Sequence, residues 1–278
     1  IRDGSSNTFS DNYVLSNTGG GVYIKGEVGV TGNIISGNTG GALHYHFNNY
    51  DTGDVGSVSN NTIFNNTGSP VVYLNREYRG AGVGSMEVKN NTIVGNSGSP
   101  TVSLGQESSP ASPVFSYNNI YDNEATYELV TTNALGADDL NIENNYWGTS
   151  DASAIASKVY DWNEDSSLGF VDYTPHETAM TLSNPIAPPV NVVKEEITGG
   201  MKISWTANSE SDVAGYKIHY GSGTGYSYAT TLDAGNVTTY EISGLTVSDE
   251  VAVTAYDGNA DGTDDQIEGY QSWFVVSG

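Results

Sequence analysis

The sequence predicts an all-β chain in two parts: a parallel β-solenoid over residues 1–183 and an antiparallel sandwich over 190–278, joined by a proline-rich stretch at 184–189. Three observations carry this reading. An asparagine-centred repeat runs through the first part. The segment Asn184-Pro185-Ile186-Ala187-Pro188-Pro189 interrupts it and reads as a stiff, extended linker. Beyond it, short alternating apolar runs follow at turn-punctuated spacing, with no helical periodicity.

The repeat segments are DNYVLSNTG, GNIISGNTG, NNTIFNNTG, NNTIVGNSG, YNNIYDNEA and ENNYWGTSD. Registered together, they place Asn at positions 12, 33, 61, 91, 118 and 144, at intervals of 21, 28, 30, 27 and 26 residues. A second column holds Asn17, Asn38, Asn66, Asn96 and Asn123, then Thr149. Between them runs an apolar column: Val14, Ile35, Ile63, Ile93, Ile120 and Tyr146. A coil this short cannot bury its own apolar side, so about six coils stack and share one core. Stacked Asn side chains bond to one another and to the turn backbone, which makes the columns structural rather than ligand-binding. The chain starts with neither Met nor a leader, and the repeat is running by residue 12. It is therefore read as a mature or trimmed fragment that lacks N-terminal coils.

Charge narrows the function classes. The 278 residues carry 9 Lys and Arg against 33 Asp and Glu, a formal net charge of −24, with no Cys. That balance excludes a nucleic-acid footprint and attraction to an anionic membrane. No apolar run approaches the ~20 residues of a spanning helix. The absence of Cys excludes disulfides and thiolate zinc sites. Diffuse acidity suits a secreted or cell-surface bacterial protein facing salt and divalent ions.

The repeat, closing with NNYWGTSDASAI and GFVDYTP at 144–175, resembles the right-handed parallel β-helix proteins. Within them it is similar to the short-repeat group related to periplasmic copper-site assembly proteins and polysaccharide lyases. The resemblance spans roughly residues 1–180 and implies fold more than activity, because that group includes lyases, hydrolases, epimerases and non-enzymatic surface proteins. The pectin-hydrolysing members share NTD, DD, GHG and RIK segments. Here only Asp138-Asp139 matches any of these, which argues against a pectin hydrolase.

After each Asn column and a Gly-rich turn comes a second strand: GVYIKG, ALHYHFN, VVYLNRE and TVSLGQE. Alternation places Val22/Ile24, Leu43/Tyr45, Val72/Leu74 and Val102/Leu104 inside. Tyr45 then needs a buried partner for its hydroxyl. The outward columns are Tyr23, His44, Tyr73, Ser103 and Lys25, His46, Asn75, Gly105, with Arg76 and Arg79 just beyond. Excursions at 48–56, 76–84 and 106–113 are expected to wall a groove. Aromatic rings and cations on one face suit an acidic polysaccharide, which makes Tyr23, Lys25, His44, His46, Tyr73, Arg76 and Arg79 the candidate binding residues. The rival reading is a lyase or glycoside hydrolase in the same groove, with Lys25, His44 or His46, and Arg76 as base, acid and carboxylate neutraliser for β-elimination. A third is an adhesion or structural surface segment. Two His at i,i+2 on a strand share a face, which is compatible with weak metal capture.

The C-terminal part resembles a fibronectin type III module in Pro188-Pro189, Trp205 of ISW, Tyr216 of GYKIHYG, Leu245 of ISGL and VAVTAYD. In that family a Tyr usually follows the Leu by six residues; here Val251 stands there, so the corner is held differently. Trp205 reads as core. Between VAVTAY and GYQSWF, the loop DGNADGTDDQIE matches the twelve-residue calcium template through Asp257, Asn259, Asp261, the Thr263 carbonyl, Asp265 and Glu268, with Gly262 at the sharp turn. Ca²⁺ is the cofactor this spacing predicts.

Overall fold

In the computed structural model, residues 7–49, 55–78, 85–106, 113–134, 139–221 and 226–278 are described. Contacts divide the chain into two compact units, Ile1–Asn184 and Pro185–Gly278.

The first unit is a parallel β-solenoid with three sheets. One stacks Asn7–Ser10, Val28–Thr31, Val55–Ser59, Ser85–Lys89 and Val114–Ser116. The second stacks Tyr13–Leu15, Ile34–Ser36, Thr62–Phe64, Thr92–Val94 and Asn119–Tyr121. The third stacks Val22–Lys25, Leu43–Asn49, Val72–Tyr78, Val102–Gln106, Leu129–Thr131 and Val159–Tyr160. Each strand pairs in parallel with its counterpart one coil away. Five registered strands in each of the first two sheets enclose about four turns, fewer than the six coils the Asn columns predict. The segment at 144–149 adds only an isolated bridge, Asn119 to Tyr146.

Both Asn columns form ladders. The Oδ1 of Asn91 accepts from the backbone N–H and the Nδ2 of Asn61, at 3.0 and 2.9 Å. The Asn91 amide in turn donates to Val58 O, Lys89 O and Asn118 Oδ1. The same pattern links Asn12, Asn33, Asn61, Asn91 and Asn118, and separately Asn17, Asn38, Asn66, Asn96 and Asn123. The residue before each rung takes the left-handed turn: Asp11, Gly32, Asn60, Asn90 and Tyr117 lie at φ 55–66°. Tyr117 is the one aromatic ring in that column, a position where a Cβ costs about 1 kcal/mol.

The last rung differs from the expected register by one residue. Asn145, not Asn144, closes the first ladder, accepting from Asn118 N and Nδ2. Trp147 accordingly enters the core in place of Tyr146. The Asn144-Asn145 doublet makes the two registers equivalent by composition; the left-handed turn at Asn144 (φ 60°) decides between them. The second ladder ends without Thr149. Asn123 Nδ2 donates to the buried Glu128 carboxylate, which also accepts from Thr101 Oγ1. Burial pushes the Glu128 carboxyl above its ordinary range.

Inside, Val30, Val58, Val88 and Phe115 face Ile35, Ile63, Ile93 and Ile120, and the third wall brings Leu43, Tyr45, Val72, Leu74, Val102 and Leu104. Tyr45 finds its partner across the coil: its hydroxyl donates to Val28 O (2.8 Å) and accepts from Val28 N (3.2 Å). Residues 176–184 then run back along the second sheet. Glu177 N donates to Asn145 O, Thr181 exchanges two bonds with the Asn119 side chain, and Asn184 Nδ2 donates to Tyr117 O. This strap satisfies the outer polar groups of that sheet, and Asn184, expected in a free linker, is buried in it.

The second unit has two antiparallel sheets. Val190–Ile197, Gly200–Thr206 and Thr239–Ser243 form one; Thr230–Gly235, Val213–Tyr220, Val251–Asp257 and Val275–Val276 form the other. Their buried faces share one core, in which Trp205 and Tyr216 lie 5.3 Å apart between ring centroids. Val251 is fully buried there, and the Tyr216 hydroxyl holds a turn by accepting from Asn208 N. Ile186 and Ala187 also belong to this unit, through Ile186 N to Gly269 O and Ala187 N to Glu210 Oε1.

His219 sits in the second sheet at 5% exposure, its ring nitrogens on Thr231 Oγ1 and Thr254 Oγ1. Burial, and then the Lys217 charge, push its pKa down to about 4. The sign follows: the unfolded ring takes a proton near 6.5 and the folded one resists. Stability is thus complete above 6.5 and is lost as pH falls toward about 4, by about 3 kcal/mol over that window. His219→Gln is expected to flatten the midpoint difference between neutral pH and about pH 5 in thermal melts. An equal acid loss in wild type and variant would contradict this assignment.

Candidate functional site: an aromatic ladder beside a glycine-floored groove

Parallel pairing in register puts equivalent residues of successive coils ~4.8 Å apart, which is the spacing at which flat rings stack. On the outward face of the third sheet, Tyr23 pairs with His44, and His44 with Tyr73. Their centroids are 4.9 Å apart at 23° and 4.3 Å apart at 26°. Tyr23 is 65% exposed, whereas His44 and Tyr73 are half-buried. The stack stops at Ser103, which aligns with Tyr73 but carries no ring.

The neighbouring column starts with Lys25 and His46, also in register. Lys25 is exposed; His46 leans across its strand until its Nε2 lies 2.7 Å from Nε2 of His44. Desolvation, and then the nearness of His46, hold His44 below the ordinary imidazole pKa.

Beside the ladder lies a groove of about 450 Å³. Tyr23, His44 and Tyr73 line it, and its floor is the turn before the third sheet: Gly19–Gly21, Gly40–Gly41 and Ser69–Pro70. Close stacking of these turns demands glycine; a Cβ on Gly40 would stand 2.7 Å from Gly20 N. Gly19, by contrast, faces open space. The TGG or TGS after Asn17, Asn38 and Asn66 was the sequence signal for this floor, although its role as a site lining was not read from it.

Tyr23, Lys25, His44, His46 and Tyr73 therefore occupy one face, but Arg76 does not. Arg76 shares the strand parity of Val72 and Leu74, aligns with Phe47, and is fully buried. Burial also lowers its pKa. The alternation that turns Tyr73 outward turns Arg76 inward, which removes it from the groove and separates the three groups invoked for β-elimination. Arg79 lies outside the described residues, as do most of the excursions expected to wall the groove (50–54, 79–84 and 107–112). A second exposed ring pair that the sequence did not flag, Trp162 and Phe170, stacks at 4.7 Å near the end of the first unit.

In the second unit the calcium-template residues serve their own backbone. Asp257 accepts from the N–H and side-chain amide of Asn259. Asp261 accepts from Thr263 N, and Asp265 from Asp261 N and Gly262 N. Lys217 Nζ lies 3.7 Å from Asp265, and Glu268 ends the short helix Asp265–Glu268. Among the described residues, no group of three or more His, Asp or Glu side chains is placed to hold a metal ion. In this arrangement the carboxylates of Asp257, Asp261 and Asp265 are engaged by nearby N–H groups, whereas a Ca²⁺ site calls for six to eight converging oxygens. If Asp265 acts only as a cap, Asp265→Ala lowers the melting midpoint by the same amount in chelator and in millimolar calcium. A calcium-dependent midpoint that this substitution abolishes would instead establish the loop as a metal site.

Neither protein-family models nor curated proteins give a match to this chain, so its β-solenoid architecture rests on the strand stacking and the asparagine ladders themselves.

Proposed function

We propose that the first unit binds a polysaccharide without cleaving it, along the Tyr23–His44–Tyr73 ladder and the groove beside it. The single observation carrying this reading is three stacked rings edging an open groove with a glycine floor. Ring faces offer pyranose C–H surfaces a platform, and the glycines of the floor let a flat chain approach the backbone. An acidic glycan remains the favoured class, with Lys25 as the carboxylate contact and the ring stack, rather than a cationic patch, supplying most of the affinity. The acidic remainder of the chain repels polyanions elsewhere and so confines them to this face. The setting we propose is a secreted or cell-surface protein built from a right-handed parallel β-helix and a fibronectin type III module. The paired antiparallel sheets and the Trp205–Tyr216 core support the second assignment. Calcium in the 257–268 loop is a separate proposal, supported by sequence spacing alone.

Retention on immobilised alginate, pectin and neutral glucans tests this reading. Wild type is expected to be retarded on at least one uronate polymer. Tyr23→Ala should weaken that retention about tenfold, the loss of one stacking ring. Gly19→Tyr, which fills open space in the groove, should weaken it comparably, whereas Trp162→Ala should leave it unchanged. Retention on none of these polymers would sink the proposal, and unsaturated-uronide absorbance would replace binding with lyase chemistry.

A further inference from the structure

Two of the four imidazoles in this chain lie away from the groove. His219 has a Thr hydroxyl at each ring nitrogen, and His176 lies against Ser150 O at 3.3 Å. The pair at the groove edge differs, because two ring nitrogens of the same kind, Nε2 of His44 and Nε2 of His46, point at a single spot from one strand. At that distance one Nε2–H donates and the other Nε2 accepts. The same convergence is what a metal ion asks of two cis ligands.

We propose that His44 and His46 form a binding site for a late first-row divalent cation, Zn²⁺ or Ni²⁺, held between their Nε2 atoms. Zn–N bonds of 2.0–2.1 Å at a tetrahedral or square angle put the two nitrogens roughly 2.9–3.4 Å apart. The pair, at 2.7 Å, needs to open by only a few tenths of an ångström. Both Nε2 atoms must then present lone pairs, so the ring that donates from Nε2 moves its proton to Nδ1. The ring of His44 is held between Tyr23 and Tyr73, which fixes its plane before the ion arrives. Lys25 and Asn75 flank His46 in register on the two sides, and Lys25 is exposed, which lets its charge swing away. Water completes the coordination, giving an open site. Imidazole nitrogen favours these ions over Ca²⁺ and Mg²⁺, and the net charge of −24 concentrates cations at the surface. The site does not depend on the glycan reading.

With only four His in the chain, ring-nitrogen NMR resolves the question directly. Zn²⁺ is titrated into the full chain in excess calcium, which occupies surface carboxylates. The expected result is saturable shifts of two imidazoles, both adopting the Nδ1–H form, while the His176 and His219 signals stay in place. His44→Asn or His46→Asn should abolish the saturable event, and His176→Asn should not. No saturable shift in wild type, a shift confined to His176, or undiminished binding in the folded His44→Asn/His46→Asn double variant would overturn the assignment.

Discussion

A carboxamide buried between two coils is the interaction on which the first unit depends. A ladder Asn such as Asn91 has no exposed surface, yet it accepts twice from the coil before and donates to the coil after. The same side chain thus satisfies turn backbone that no strand could reach and sets the rise between coils. An apolar core fixes which side chains face inward, but it offers the turn backbone between strands no hydrogen-bond partner. The ladders supply one, and a slip of one residue exchanges a buried amide for a turn residue. Left-handed residues just before each rung aim the amides inward, and the Glu128 carboxylate closes the second ladder by accepting from the Asn123 amide, which also donates to Ile93 O.

Everything proposed about function inherits that register. Rings at one column stack only because successive strands are locked in phase, and the glycine turns can approach each other only because the ladders hold them there. The same locking decides what the groove lacks. Arg76 is inward for the reason that Tyr73 is outward, and no local adjustment returns it to the surface. The face that results is aromatic and weakly cationic, which suits stacking on a sugar chain and an imidazole pair open to an ion.

Much of this was legible in the sequence. The Asn columns, the apolar column and the inward parity of Leu43, Tyr45, Val72 and Leu74 announced a solenoid with a defined outer face, because period and polarity survive without coordinates. Three kinds of information were not legible. The Asn144-Asn145 doublet led the last register to Asn144 and Tyr146, one residue before the Asn145 and Trp147 that occupy the ladder and the core. The strap at 176–184 is held by side-chain and backbone bonds to residues 30 to 90 positions away, which no local pattern records. The loop at 257–268 has the spacing of a calcium site, yet spacing does not say whether carboxylates turn toward an ion or toward their own N–H groups. The partner of Tyr45 was likewise a question that the sequence posed and only three dimensions answered.

The most direct test of the central claim is chemical denaturation of Asn91→Leu beside Asn17→Leu. Leu keeps the branched shape of Asn without its polar atoms, so it cannot accept from Asn61 or donate to Val58, Lys89 and Asn118. At position 17 the ladder ends at the exposed first coil. If buried carboxamides hold the stack, Asn91→Leu loses about 3 kcal/mol or more while Asn17→Leu loses about 1 kcal/mol. Equal and small losses at both positions would mean that the apolar columns carry the solenoid and the ladders merely accompany them.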